Sequence, residues 1–150
     1  MVAGSLDLTD WQDWLRTAMH AGLAGCFDVL SAHPYAGMAV LQEIRALARE
    51  EGRPNLQIWV TEFGESTCDD LALGCVTEDE QAVRLVASLR ELASDYPYVP
   101  VAMIYEAQDD PQALGDFSER HFGLFRTIVN GKGLVPKPTV AAIHTLYQGH

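Results

Sequence analysis

The sequence predicts an α/β fold amounting to half of a (β/α)8 barrel, about four β/α units. Three observations carry that expectation. Short runs rich in β-branched and aromatic residues alternate with longer stretches of helical periodicity, the pattern of a parallel sheet joined by crossover helices. The run Phe27 to Ala32 is dense in apolar residues, as a strand covered on both faces should be. The chain has 150 residues, whereas a closed eight-stranded barrel typically takes about 250.

Taken in order, Val2-Ala3-Gly4 is a short strand remnant. Thr9 to Gln12 reads as a capping box that opens a helix with Trp11, Trp14, Leu15, Ala18 and Leu23 along one stripe. Phe27 to Ala32 follows as a strand. A second helix runs from about Ala39 to Glu50, with Leu41, Ile44, Leu47 and Ala48 on one face and Gly52 and Pro54 to end it. Gln57 to Thr61 is the next strand, broken by Gly64, with a polar loop to Val76. A second capping box, Thr77-Glu78-Asp79-Glu80, opens a helix whose core face is expected at Val83, Val86, Ala87 and Leu89. Val99 to Tyr105 is the last clear strand. A long loop from Glu106 to Lys137, with Gly131 and Gly133 close together, precedes a final helix that Pro138 can start and that continues through Leu146. With no repeat, linker or low-complexity tract, the chain reads as a single domain over 1–150.

Composition narrows the function classes. Hydrophobic residues make up 48% and charged residues 21%, and the net charge is −11, from 21 acidic against 10 basic residues. A chain of this size can bury roughly 70% of its unfolded surface, enough for a real core. A surface this acidic repels phosphate backbones and anionic lipid, so neither nucleic acid nor membrane is an expected partner. No stretch approaches the roughly 20 apolar residues of a membrane span. Met1 to Asp7 lacks the basic region and apolar core of a signal peptide. The compartment therefore stays open. The expectation is either a cytosolic chain or one cut from a longer, secreted parent.

Of the three cysteines, Cys68 and Cys75 share one loop and either close a small disulfide ring or remain two plain thiols. Cys26, beside Phe27 and Val29, reads as a small buried hydrophobe. No Cys or His pair stands at zinc-ligand spacing, and no metal or organic cofactor is expected. No glycine-rich phosphate loop follows the first strand, which counts against an unrelated flavodoxin-like nucleotide-binding domain.

In α/β barrels the functional side chains lie just past the carboxyl ends of the strands. Those positions here hold Ser31, His33, Pro34 and Tyr35, then Thr61, Glu62, Phe63 and Gly64, then Tyr105, Glu106 and Asp109. The run Phe27-Asp28-Val29-Leu30-Ser31-Ala32-His33-Pro34-Tyr35 resembles the sixth-strand motif of clan A glycoside hydrolases, and Ile58-Trp59-Val60-Thr61-Glu62-Phe63-Gly64 resembles their seventh. Ile104-Tyr105-Glu106 with Asp109 resembles the eighth-strand end, and Phe122-Gly123-Leu124 with Lys137-Pro138 the closing segment. Val2-Ala3-Gly4 then falls at the fifth strand, so the resemblance implies the C-terminal half, strands five to eight, over nearly the whole chain.

That resemblance implies a retaining O-glycoside hydrolase portion acting on carbohydrate, oligo- or polysaccharide, with Glu62 as the nucleophile. His33, Tyr35, Tyr105 and Glu106 would serve substrate or nucleophile. Each has a plainer alternative: Glu62 as a loop charge or helix cap, His33 as a core histidine, Tyr105 as packing, and Glu106 and Asp109 as salt-bridge partners of Arg126 or Arg120. The family's acid/base is a Glu in an Asn-Glu pair after the fourth strand, and no Asn-Glu occurs here. The expected N-terminal half is thus absent, and the chain would be a fragment, a self-associating half-barrel, or one completed by a separate half through its open sheet edges. The competing function is a non-catalytic carbohydrate-binding or interaction module on the same scaffold.

Overall fold

A computed structural model describes residues 1–6, 10–115, 117–127 and 134–149. Four strands, β1 (Val2–Leu6), β2 (Val29–Ala32), β3 (Gln57–Phe63) and β4 (Val101–Ile104), form one parallel sheet in chain order. Four helices accompany them: α1 (Trp11–His20), α2 (Val40–Glu50), α3 (Glu78–Asp95) and α4 (Pro138–Gln148). Parallel neighbours require such crossovers, since no hairpin can join strands that run the same way. Among the described residues no helix is long and apolar enough to cross a membrane.

The chain divides into two compact units. The first comprises Met1–Phe63 with Glu91–Met103, the second Gly64–Arg90 with Ile104–His150.

In the first unit β2 is the inner strand and all four of its residues are buried. It pairs with β1 (Val2 opposite Val29, Leu6 opposite Ala32, with an irregularity between Ala3 and Ser5) and with β3 (Val29 opposite Gln57, Ala32 opposite Val60). The α2 helix buries Leu41, Ile44, Leu47 and Ala48, the four residues its periodicity predicts, and Gly52 leaves it at φ +79°. A left-handed residue just past a helix costs glycine little. The α1 helix presents Trp11, Leu15, Ala18 and Met19 inward, a slightly different stripe from the expected one. Trp14, one position off that face, is 50% exposed, and Leu23 lies beyond the helix in an exposed 3-10 turn. Asp10 takes the position ahead of the first turn, while the expected cap, Thr9, lies outside the described residues. Arg16 to Glu50 (3.0 Å), His20 to Glu51 (2.9 Å) and Gln12 to Glu43 (3.2 Å) tie the outer rims of α1 and α2. Cys26 is exposed, not buried, because it caps that 3-10 turn, its Sγ 4.0 Å from the Gly22 carbonyl.

The second unit depends on buried polar groups. Thr77 caps α3 as the box predicts, its Oγ1 accepting from Glu80 N at 3.1 Å. The inward face is nonetheless Gln81, Ala82 and Leu85, with Val83 69% exposed. Gln81 turns inward because loop carbonyls await its amide. Nε2 donates to the Glu65 carbonyl at 2.9 Å and lies 3.4 Å from those of Phe122 and Gly123, while Oε1 accepts from Thr139 Oγ1 at 2.8 Å. The expected featureless loop between residues 106 and 137 instead holds a 3-10 turn (Phe117–Arg120) and a short antiparallel pair, β5 (Phe125–Arg126) with β6 (Val135–Pro136). The glycine pair at 131 and 133 lies outside the described residues.

Lys137, 2% exposed, donates through Nζ to Thr67 Oγ1 (2.7 Å), Asp109 Oδ1 (2.7 Å) and the His121 carbonyl (3.1 Å). Its three protons thus have three acceptors, and Asp109 Oδ1 also accepts from Gly123 N at 2.9 Å. Asp109 therefore pairs with Lys137, not with Arg126 or Arg120 as expected. Arg126 is taken by Glu78, Nε to Oε1 at 2.6 Å. Cys68 and Cys75 are joined by a disulfide with a Cα separation of 5.3 Å. Losing one member of a buried ion pair strands the other, a loss of about 3–5 kcal/mol. We predict that Lys137→Met lowers the unfolding free energy measured by urea titration by an amount in that range. A change of only a few tenths of a kcal/mol, the size expected of an exposed pair, would show that the ammonium is not buried in solution.

Candidate functional site

The register of β2 and β3 places a cluster of polar side chains at their carboxyl ends. Ala32 lies opposite Val60, so the residue after β2, His33, arrives beside Thr61. The chain then turns tightly, with Tyr35 N bonding the His33 carbonyl (2.9 Å) and Gly37 N that of Pro34 (3.0 Å). That turn folds Tyr35 back toward the strand end. Glu62, the sixth residue of β3, receives both neighbours. His33 Nδ1 lies 3.3 Å from Glu62 Oε2, and Tyr35 OH donates to the same oxygen at 3.2 Å.

Hydrogen-bond chemistry assigns the protons. A nitrogen facing a carboxylate must carry hydrogen, so a neutral His33 has its proton on Nδ1 and a lone pair on Nε2. Nε2, 3.0 Å from Thr61 Oγ1, then accepts the threonine proton. Thr61 Oγ1 in turn accepts from the Ser31 hydroxyl, which sits against it. The donors run one way, from Ser31 through Thr61 and His33 to Glu62. This chain fixes the imidazole on both edges and holds one oxygen of Glu62, whose side chain is 38% exposed, while the other oxygen has no hydrogen-bond partner shown among the described residues. Tyr35, 43% exposed and edge-on to His33 at a centroid distance of 6.4 Å, adds an aromatic surface at the same rim. Such surfaces suit the apolar faces of sugar rings.

Two further candidates, Tyr105 and Glu106, fall in the second unit. Tyr105 packs its ring edge-on to Phe122 at 5.4 Å. The close approach of this segment dictates the glycine of the Thr-Glu-Phe-Gly run, since a Cβ on Gly64 would collide with the Tyr105 carbonyl oxygen and meet the Phe122 ring at 3.0 Å. Glu106 is pinned by its backbone to Phe122 (3.4 Å) and Leu124 (3.0 Å). Its Oε1 is buried without a hydrogen-bond partner among the described residues. Burial pushes its carboxyl above the usual range, Asp110, Asp109 and Glu119 add repulsion, and Lys137 opposes them.

The structure thus brings Glu62, His33 and Tyr35 together, and in the second unit sets Tyr105 and Glu106 on one short segment. Ser31 and Thr61 stand at strand-end positions in the sequence, but their part in the donor chain depends on register. Lys137 carries no sequence signal beyond its place before Pro138. Among the described residues, no three His, Cys, Asp or Glu side chains are grouped to hold a metal ion.

Solved structures resemble this chain. The β-glucuronidase of Ruminococcus gnavus aligns with a TM-score of 0.54 and 21% identity, over 82% of this chain and 23% of that one. Its complex with uronic isofagomine gives 0.54 and 16% over 95% and 30%. Its complex with uronic deoxynojirimycin gives 0.53 and 16% over 100% and 32%. The fold is consistent with part of a TIM barrel. At such identity the likeness speaks for fold alone, and the chain spans less than a third of the length of these proteins in each of the three alignments. No family model and no curated protein matches it.

The Glu106 carboxyl yields a prediction with a definite sign. Its folded-state pKa is raised, so the folded protein holds that proton more tightly than the unfolded chain does. Stability is then greatest below the unfolded value, and part of it is lost as pH rises through the folded one. Glu106→Gln removes the titration, so its melting temperature relative to wild type should be higher at pH 7 than at pH 4. An unchanged or opposite difference across that window would refute the burial of the charge.

Proposed function

We propose that the chain is the nucleophile-bearing half of a retaining O-glycoside hydrolase, the C-terminal half-barrel, with Glu62 forming the glycosyl-enzyme intermediate. The observation that carries this reading is the carboxylate at the carboxyl end of a parallel strand, held by one imidazole and one phenol. The likeness in fold to a β-glucuronidase supports it.

In this reading the Glu62 carboxylate attacks the anomeric carbon as the bond to the leaving oxygen breaks. An acid/base carboxyl about 5 to 5.5 Å away gives that oxygen a proton, then takes one from the water that cleaves the glycosyl ester. His33 and Tyr35 restrain Glu62 in attack geometry, and sparing that reorganisation is part of what a preorganised site contributes. Tyr105 and Glu106 are proposed as substrate contacts. The acid/base would come from residues outside this sequence, since no Asn-Glu pair occurs in it. A complementary half-barrel, or a second copy of the chain, would add strands at the edges of the sheet to complete the barrel.

That same missing residue favours a second reading, a carbohydrate-binding module that has lost its chemistry. The two separate cleanly with a substrate whose leaving group needs no proton. Glycosyl fluorides with fluorine at C2 stabilise the intermediate and release fluoride unaided, so the nucleophile is labelled even where the acid is lacking. β-Glucuronosyl, β-glucosyl, β-xylosyl and β-mannosyl reagents should be tested on the chain, alone and with a complementary N-terminal half. The expected result is a mass increase of one fluoroglycosyl group on the peptide containing Glu62, with labelling at least about a thousandfold slower in Glu62→Gln. Oligosaccharide binding without any adduct would favour the binding module, and an adduct that survives Glu62→Gln would displace Glu62 as nucleophile.

A further inference from the structure

At the opposite end of β3, in the first unit, lies a cavity of about 360 Å³ bounded by Arg45, Arg49, Asn55, Gln57 and Tyr98. Gln57 opens β3 and Glu62 nearly ends it, so roughly 16 Å of strand separates this cavity from the candidate active site. The polar side chains on its wall are two guanidinium groups, two amides and a phenol, and among the described residues no carboxylate lines it.

The chain has 21 acidic residues and 10 basic ones, so carboxylates are plentiful as partners for arginine. Arg16, Arg84 and Arg126 each sit on glutamates. Arg45 and Arg49 make no ion pair among the described residues, although they stand at i and i+4 on α2, where like charges repel. Arg49, in the last turn, is accounted for by the helix dipole. Arg45 gives Nη1 to the Leu56 carbonyl and stacks its guanidinium over the Tyr98 ring at 5.0 Å. Neither role uses the Nε and Nη2 edge, the edge with which arginine grips oxyanions in two parallel bonds.

Among the described residues, two buried polar atoms here have no hydrogen-bond partner, Arg45 Nε and the Tyr98 hydroxyl. They belong to two side chains stacked on each other at one cavity. Unsatisfied buried donors are rare in folded proteins and commonly mark an ion or water that the bare chain does not show. Burial pushes the Tyr98 phenol above its ordinary range, and the nearby charges of Arg45 and Arg49 oppose that shift.

We propose that this cavity binds a phosphate-class oxyanion, inorganic phosphate or the phosphoryl group of a small ester. Two uncompensated cations match a dianion better than a monocarboxylate. Its donors belong to a helix (Arg45, Arg49), to the segment before and at the start of β3 (Asn55, Gln57) and to the loop after α3 (Tyr98), a spread that suits the several oxygens of a tetrahedral ion. The acidity of the whole surface argues against polyanions such as nucleic acid, whose charge extends beyond the cavity. A small ion enters a local positive field and is gone from the rest. The site does not depend on the proposed glycosidase activity.

The test is an NMR titration of the whole chain with inorganic phosphate and, separately, glucose 6-phosphate, at constant ionic strength. Saturable shifts are expected at the backbone amides of Asn55, Leu56, Gln57 and Tyr98. Arg49→Gln, an exposed position, should weaken binding about tenfold. Tyr98→Phe, which keeps the ring under Arg45, should weaken it a few-fold. Equal affinity for both probes identifies the free ion as ligand, and tighter binding of the sugar phosphate identifies an ester. No saturable shift with either probe, equal affinity in Arg49→Gln and wild type, or shifts centred on residues 33–35 and 62 would each overturn the proposal.

Discussion

The pairing of β2 with β3 is the constraint on which the rest of the first unit depends. Its parallel register, Val29 opposite Gln57 through Ala32 opposite Val60, fixes which side chains emerge together where the strands end. Side chains alternate with period two, so a slip of one residue would turn Ile58 and Val60 away from the core and bring Trp59 and Thr61 into it. With β2 buried on both faces and Leu30, Ile58 and Val60 fully enclosed, that slip would expose much of the core. The apolar interior therefore specifies the polar site: Thr61 meets His33 because Leu30 and Ile58 cannot move. The arrangement of the polar side chains at the strand ends is thus held by apolar groups that lie beneath them.

The second unit solves a different problem. It has long irregular segments, whose backbone groups must find partners if they are to be covered at all. Gln81 and Lys137 supply them. One amide links α3 to the carbonyls of residues 65, 122 and 123 and to Thr139 on α4. One ammonium gathers Thr67, Asp109 and the His121 carbonyl. Each is a single side chain substituting for a stretch of secondary structure. Such a device holds loops in one arrangement, but it is unforgiving, because the removal of one group strands several others. Gly64 and Gly123 belong to the same economy of space: a Cβ on the first would strike the Tyr105 carbonyl, and one on the second the backbone nitrogen of Asp109.

What could be read in the sequence follows from which forces are local. The α2 stripe of Leu41, Ile44, Leu47 and Ala48 is legible because burial there obeys the helical period and nothing competes with it. The inward face of α3 is not, because a glutamine turns inward only when carbonyls from distant loops are waiting, and no periodicity encodes them. Trp14 misleads for the converse reason. Its apolar surface argues for burial, but the stripe set by Trp11, Leu15, Ala18 and Met19 leaves it outside. At the candidate site, Glu62, His33 and Tyr35 are visible as strand-end residues bearing the right chemistry. The direction of the donor chain through Thr61 and Ser31 is invisible without register. In the sequence Asp109 looks free to pair with Arg126 or Arg120, and burial decides otherwise: the Lys137 ammonium, with no water left, pairs with the acceptors that surround it, Asp109 among them, whereas Arg126 finds Glu78.

The two ends of β3 illustrate how one strand can serve unlike chemistries. At its carboxyl end, donors converge on a single carboxylate and leave one oxygen open, an arrangement suited to a group that must act on something else. At its amino end, two guanidinium groups, two amides and a phenol line a cavity with no carboxylate among its described lining residues, an arrangement suited to holding an anion in place. In a chain so rich in acidic residues, arginines readily find glutamates, as Arg16, Arg84 and Arg126 do. Keeping two of them unpaired on one helix face therefore requires that carboxylates be kept away, and the residues interposed there, Asn55 and Gln57, are the uncharged counterparts of Asp and Glu. With carboxylates at those positions the arginines would be neutralised and the cavity filled from within. With amides, the field remains positive and the donors remain unspent, which is the physical condition for recognising a ligand rather than stabilising a fold.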